Sequence, residues 1–183
     1  MFSSEPAEAQ GLPLIRDAEI EDTIRRMSTP LFQAAGLAPS SVSIHIVNDK
    51  SLNAFVADGQ RMFMHTGLLM RAENASQVIG VIAHETGHIS GGHLSRFGKA
   101  TQQGTATAVI ATILGAATAL GTGRPDVGAA VLSGGQQLAQ RNFFSFTRSQ
   151  EGSADQAALT LLDSTGQSAR GLLEFMGILE NQE

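Results

Sequence analysis

A chain of 183 residues is long enough for one domain with a real core. Its formal net charge of −5 and the lack of a basic patch argue against a nucleic-acid partner. It contains no cysteine, which excludes a disulfide framework and any thiolate site, so a metal would have to be held by His and carboxylate.

Residues 1–13 read as a flexible arm. They are acidic and polar, without the basic start and apolar run of a signal peptide, and resemble the start of a processed chain. Residues 14–183 read as a single domain. Ile20, Ile24, Met27 and Leu31 recur at helical spacing and predict an amphipathic helix over 17–35, with Asp17 as its N-cap and Gly36 as its stop. Pro30 is expected to kink or divide that helix. Residues 42–47, 53–57 and 61–65 read as three short strands joined by tight turns, hence a small antiparallel sheet. A short helical turn over 67–71 follows.

Asn74 can cap a central helix running from Ala75 to about Phe97. From Ala100 to Gly123 no residue is charged. That length could cross a bilayer, but Thr and Gly dilute it, so a soluble reading is preferred, with peripheral membrane contact as the next expectation. Residues 121–126 form a turn and 127–140 a second weakly polar helix. Together they predict a helical hairpin lying over the core. Further helices are expected over 149–163 and 169–179, and no internal repeat is visible.

The chemistry gathers at His84-Glu85-Thr86-Gly87-His88, which follows the apolar run 78–83. Residues four apart on a helix share a face, with Cβ atoms about 5–6 Å apart. Two imidazoles so placed suit two corners of a tetrahedral zinc site, and Glu85 sits where it could polarise a water held there. A third protein ligand is then needed. His93 is a candidate, but if the helix simply continues it falls about 180° from His84. His65 and His45 lie on strands and read as packing or surface residues. Glu151 is the best candidate. On a helical wheel Glu151 and Asp155 lie with Ala158, Leu159 and Leu162 on the core-facing stripe, and carboxylates on such a face need partners. Glu151 would then bind the metal, and Asp155, one turn on, would accept the second ring N–H of a ligating His.

This combination resembles the M48 peptidases, zinc-dependent metallopeptidases of the gluzincin type. The resemblance rests on Asn53-Ala54-Phe55, His65-Thr66-Gly67-Leu68-Leu69, His84-Glu85-Thr86-Gly87-His88 followed by His93-Leu94, and Glu151-Gly152-Ser153-Ala154-Asp155. It covers nearly the whole chain beyond the arm. It is nearest to the periplasmic BepA-like members, which usually carry a tetratricopeptide domain after the protease domain; no such repeat is present here.

The resemblance implies an α+β fold, a mainly helical zincin-type domain with a small antiparallel sheet packed on the active-site helix. It implies that His84, His88 and Glu151 bind zinc, that Glu85 is general base and then proton donor, and that Asp155 supports a ligating His. Asn53, Ala54 and Phe55 would be the sheet edge on which a substrate pairs as an added strand. Residues 98–148 sit where family members carry segments that can cover the cleft. Related enzymes tend to supply a polar transition-state stabiliser, often a His, from beyond the Glu-bearing helix. No His follows His93, leaving His65 or Arg148 to substitute.

The implied function is a zinc endopeptidase acting on polypeptide substrates in periplasmic protein quality control, with outer-membrane or envelope protein partners. The alternative is a non-catalytic or autoinhibited zinc-containing chaperone or assembly module of the envelope.

Overall fold

The computed structural model describes residues 12–57 and 60–180, so most of the expected N-terminal arm lies outside the described residues. The fold is α+β. Strand β1 (Leu14–Ile15) precedes helix α1 (Ala18–Ala34), and a short 3-10 turn (Pro39–Ser41) leads into β2 (Ser43–Val47), β3 (Ala54–Ala57) and β4 (Arg61–His65). Helices α2 (Thr66–Arg71), α3 (Ala75–Ser90), α4 (His93–Thr122), α5 (Pro125–Ser164) and α6 (Arg170–Glu180) complete the chain.

Asp17 caps α1 by accepting from the backbone N–H of Glu19 and Ile20. Pro30 does not divide this helix. Helix α1 buries Ile24, Leu31 and Phe32 in the core, and that packing holds the turn around Pro30 together. Gly36 ends the segment with a φ of 72°, the left-handed turn that glycine adopts freely.

The sheet is mixed rather than antiparallel, in the order β1-β2-β4-β3. β1 pairs antiparallel with β2, β2 parallel with β4, and β3 antiparallel with β4. Side-chain alternation sets which face a residue takes but carries no information on strand direction. What decides it is the connection over residues 48–53. It is no tight hairpin: Asp49 accepts from Ser51 N through its side chain, and its carbonyl accepts from Gly67 N and Thr66 Oγ1. The chain therefore passes the place that β4 later fills, and β3 becomes the outer edge. Ile44, Ile46, Met62 and Met64 point into the core. On the opposite face His45 and Phe55 both stack on Phe63, so Phe63 is buried there too.

Helix α3 is the centre of the domain, packed by α1, α5, α6 and β3. Two glycines on it permit close approach. A Cβ at Gly80 would lie 2.7 Å from the backbone of Leu172 on α6, and one at Gly87 2.8 Å from the carbonyl oxygen of Ala154 on α5. The second contact brings the Glu151–Asp155 turn beside the His84–His88 turn.

The expected break between the helix of 127–140 and that of 149–163 does not exist: α5 runs unbroken through both. With α4 it forms the hairpin, turning at Gly123, which has a φ of 65°, with Pro125 at the first turn of α5. The hairpin does not lie over the core. Val109, Ile110, Ile113, Leu114 and Leu120 are all exposed.

Candidate active site

Three donor atoms converge above α3. His84 Nε2 and His88 Nε2 are 3.1 Å apart, and Glu151 Oε2 lies 3.4 Å from the first and 3.6 Å from the second. Among the described residues these three side chains are the group able to hold a metal ion. With metal–ligand bonds of about 2.0–2.1 Å, the corners of a tetrahedron are about 3.4 Å apart. The triangle of donors already has those dimensions.

The ring orientations agree. Asp155 Oδ1 accepts from His84 Nδ1 at 2.9 Å, which leaves the lone pair of His84 Nε2 facing the other donors. Burial first, then the neighbouring His84, holds the pKa of His88 below its ordinary 6.5, favouring the neutral ring a metal requires. Glu85 is buried, and that burial, followed by the charge of Glu151, pushes its pKa up to about 7. Glu151 itself is not buried. Its side chain is 51% exposed, so the core-facing wheel reading had the right direction but the wrong surroundings: α5 turns that face into an open cleft.

His93 stays outside the converging group, yet the helical-phase argument against it fails. It assumed one helix from α3 onward, but the helix stops at Ser90. Gly92 has a φ of 61°, and α4 starts anew at His93. His93 then folds back, its Nδ1 3.0 Å from His88 Nδ1. A Cβ at Gly91 would collide with the His93 ring, so the glycine pair both reverses the chain and makes room for this imidazole. His93 is buried and touches a member of the converging group without joining it. Gly91-Gly92 in the sequence was the signal for this break.

A cleft of about 620 Å³ opens over the group. One wall is Leu52, Asn53, Ala54, Phe55 and Val56, the edge of the sheet; the other carries Gln150, Glu151 and Asp155; Phe175, Met176 and Leu179 of α6 close one side. His65 and Arg148 are not among the lining residues. His65 is instead bonded to Ser51 Oγ at 2.7 Å and set edge-on to Phe55. Besides the His and acidic side chains, the polar groups on the cleft are Asn53, Thr147 and Gln150. Of the described side chains in 98–148, Thr147 alone reaches it, so the described part of the hairpin does not cover the cleft.

The model of peptidase family M48 matches residues 15–181. The chain belongs to peptidase family M48. Similar curated proteins include the beta-barrel assembly-enhancing protease of Yersinia pestis, 29% identical over 170 residues, and that of Escherichia coli K12, 28% identical over 170 residues. Each match takes in 93% of this chain, which spans about a third (35% and 34%) of those relatives' length. A shorter similarity, 28% over 65 residues, covering 36% of this chain and 19% of the relative, links it to the mitochondrial metalloendopeptidase OMA1 of Schizosaccharomyces pombe. Membership of this family implies a metal, and the converging His-His-Glu group fits one.

Proposed function

We propose that this domain is a zinc-dependent endopeptidase and that His84, His88 and Glu151 hold the zinc. The supporting observation is the donor triangle of 3.1, 3.4 and 3.6 Å, with Asp155 behind one ring and His93 behind the other. Two imidazoles and a carboxylate with an open fourth side are a zinc donor set of the catalytic kind. When bound, zinc would bring the pKa of a coordinated water toward about 7 and polarise a carbonyl oxygen.

The chain's residues do the rest. Asp155 and His93 fix the tautomers of His84 and His88, each leaving an Nε2 lone pair toward the zinc. Glu85 takes the proton of the attacking water and hands it to the departing amine. No covalent acyl step is required of a side chain. Asn53, Ala54 and Phe55 offer an edge strand along which an extended polypeptide pairs, setting one of its peptide bonds across the group. Asn53, Thr147 and Gln150 are the neutral polar groups placed to hydrogen-bond a peptide in the cleft.

By analogy with the beta-barrel assembly-enhancing proteases, the substrates and partners are envelope and outer-membrane polypeptides and the location is the periplasm. The open cleft speaks against the autoinhibited alternative, since no described side chain of the hairpin beyond Thr147 enters it. The test is cleavage of an unfolded protein such as casein. Activity should vanish with a chelator and return with zinc. Cleavage that survives complete metal removal would overturn the reading, and binding of unfolded protein with no cleavage under any loading would favour a scaffold.

A further inference from the structure

Helices α4 and α5 are packed inside out for a water-soluble hairpin. The tightest contacts of the seam between them are made by small residues: Gly115 against the Gly128 carbonyl, and Gly135 against Ala111. Leu132 also packs there against Gly115, but Ile113, Leu114 and Leu120 stand away from it. Ile113 is 62% exposed, Leu114 53% and Leu120 87%. Burial in water favours the reverse arrangement, whereas helix pairs in lipid put small residues at the contact and large ones outside. Residues Thr105–Thr122 are long and apolar enough to cross a membrane, yet only 11% of that window is buried. It is therefore neither a core helix nor, at mid-chain, a leader. Thr112, Thr118 and Thr122 return their hydroxyls to the backbone carbonyls of Ala108, Leu114 and Thr118, so they present little unsatisfied polarity.

The charge pattern selects the occupant. Between 96 and 148 the cations are Arg96, Lys99, Arg124, Arg141 and Arg148, and the only acid is Asp126, in a chain of net charge −5. Asp126 is paired with Arg124 at the hairpin tip, 2.7 Å apart. On a wheel of about 100° per residue, Arg96 and Lys99 share an arc of about 140° with Val109, Ile110, Ile113, Leu114 and Leu120. The outer face of α4 is thus basic at its start and apolar along the rest, with no acid. A bilayer bearing anionic headgroups complements both parts: acyl chains take the apolar stripe without asking for hydrogen bonds, and the headgroups take Arg96 and Lys99.

We propose that the outer face of α4 docks the domain on an anionic lipid bilayer, holding the cleft near the membrane surface. This is independent of the peptidase chemistry, and its test needs no metal.

The full chain is floated with vesicles of phosphatidylcholine plus phosphatidylglycerol, and with phosphatidylcholine alone. It should float with the anionic vesicles, less so as salt rises. Joint Arg96→Glu and Lys99→Glu substitution should weaken binding by at least about tenfold. Joint Ile113→Asp and Leu114→Asp substitution should abolish it while leaving thermal melting unchanged, because both positions are exposed. Leu120→Ser, at the most exposed of these positions, provides a second, milder variant should the first misfold. Failure of the wild-type chain to float overturns the proposal, whether it is then monomeric or forms dimers that Ile113→Asp breaks; the latter would assign this face to a second copy. Unaltered flotation of all three variants also overturns it.

Discussion

The cleft and the hairpin tip are built on opposite rules although α5 runs through both. Around the cleft, α5 presents Ala154 and Ala158 to the core, fully buried, and sets Glu151 and Asp155 against two imidazoles. Toward the tip the same helix meets α4 through Gly128 and Gly135 and leaves Leu138 outside, as α4 leaves Ile113, Leu114 and Leu120. Charged and titratable side chains gather at the cleft, whereas residues 100–123 of the hairpin carry none. The polar cluster is tolerated in the packed region because its members partner one another and, in the proposed function, a metal. The apolar exposure is tolerated only if something other than water meets it.

The comparison can be broken first at the cleft. Glu85→Gln should lower peptidase turnover by about 10²–10⁴-fold while zinc content, measured by metal analysis, stays at the wild-type level. Retained turnover would remove Glu85 from the chemistry. Next in size, Leu162→Ala, fully buried under α3, should cost about 2–5 kcal/mol in chemical denaturation. Leu120→Ala at the hairpin tip should stay within about 0.5 kcal/mol in the same experiment. Equal costs would mean that the tip is as packed as the core.

His93 is the sharper probe of the cleft, because its effect should fall on metal affinity more than on folding. His93→Leu leaves His88 Nδ1 without its partner and should weaken zinc binding about 10–100-fold, read by competition with a chromophoric chelator. His93→Gln, whose amide oxygen can accept the same N–H, should recover part of the loss. A drop in the melting temperature of the metal-free chain with no change in zinc affinity would make His93 purely structural.

The smallest effect concerns pH. Burial, then Arg16 and Arg61, holds the pKa of His45 below its ordinary 6.5. Below that pH the unfolded chain takes up a proton that folded His45 resists, so its contribution to stability is full above 6.5 and declines as pH falls. His45→Gln should therefore lose less stability than wild type between melts on the two sides of pH 6.5; an identical loss would contradict this.

The sequence held most of the cleft and less of its frame. The spacing of His84 and His88 and the wheel position of Glu151 and Asp155 depend only on helical periodicity, which survives any tertiary arrangement. The direction of β4 relative to β2 was not legible, because alternation is the same in parallel and antiparallel strands. The unity of α5 is missed at residues 141–148 because no helical period is read across them, although Phe143 and Phe146 stand three apart. Yet no proline occurs between Pro125 and the end of that helix, and the absence of a breaker was the usable cue. His93 was lost by carrying α3 through Gly91-Gly92. Whether two adjacent glycines bend a helix or reverse it is settled by what the next side chain finds, here the ring of His88.

The central claim is that His84, His88 and Glu151 together hold a catalytic zinc. Anomalous diffraction at the zinc edge, from crystals of the zinc-loaded chain, tests it most directly. The account predicts one strong peak within coordination distance of His84 Nε2, His88 Nε2 and a Glu151 carboxylate oxygen. A peak elsewhere, or one at the two histidines with Glu151 turned away, would contradict it.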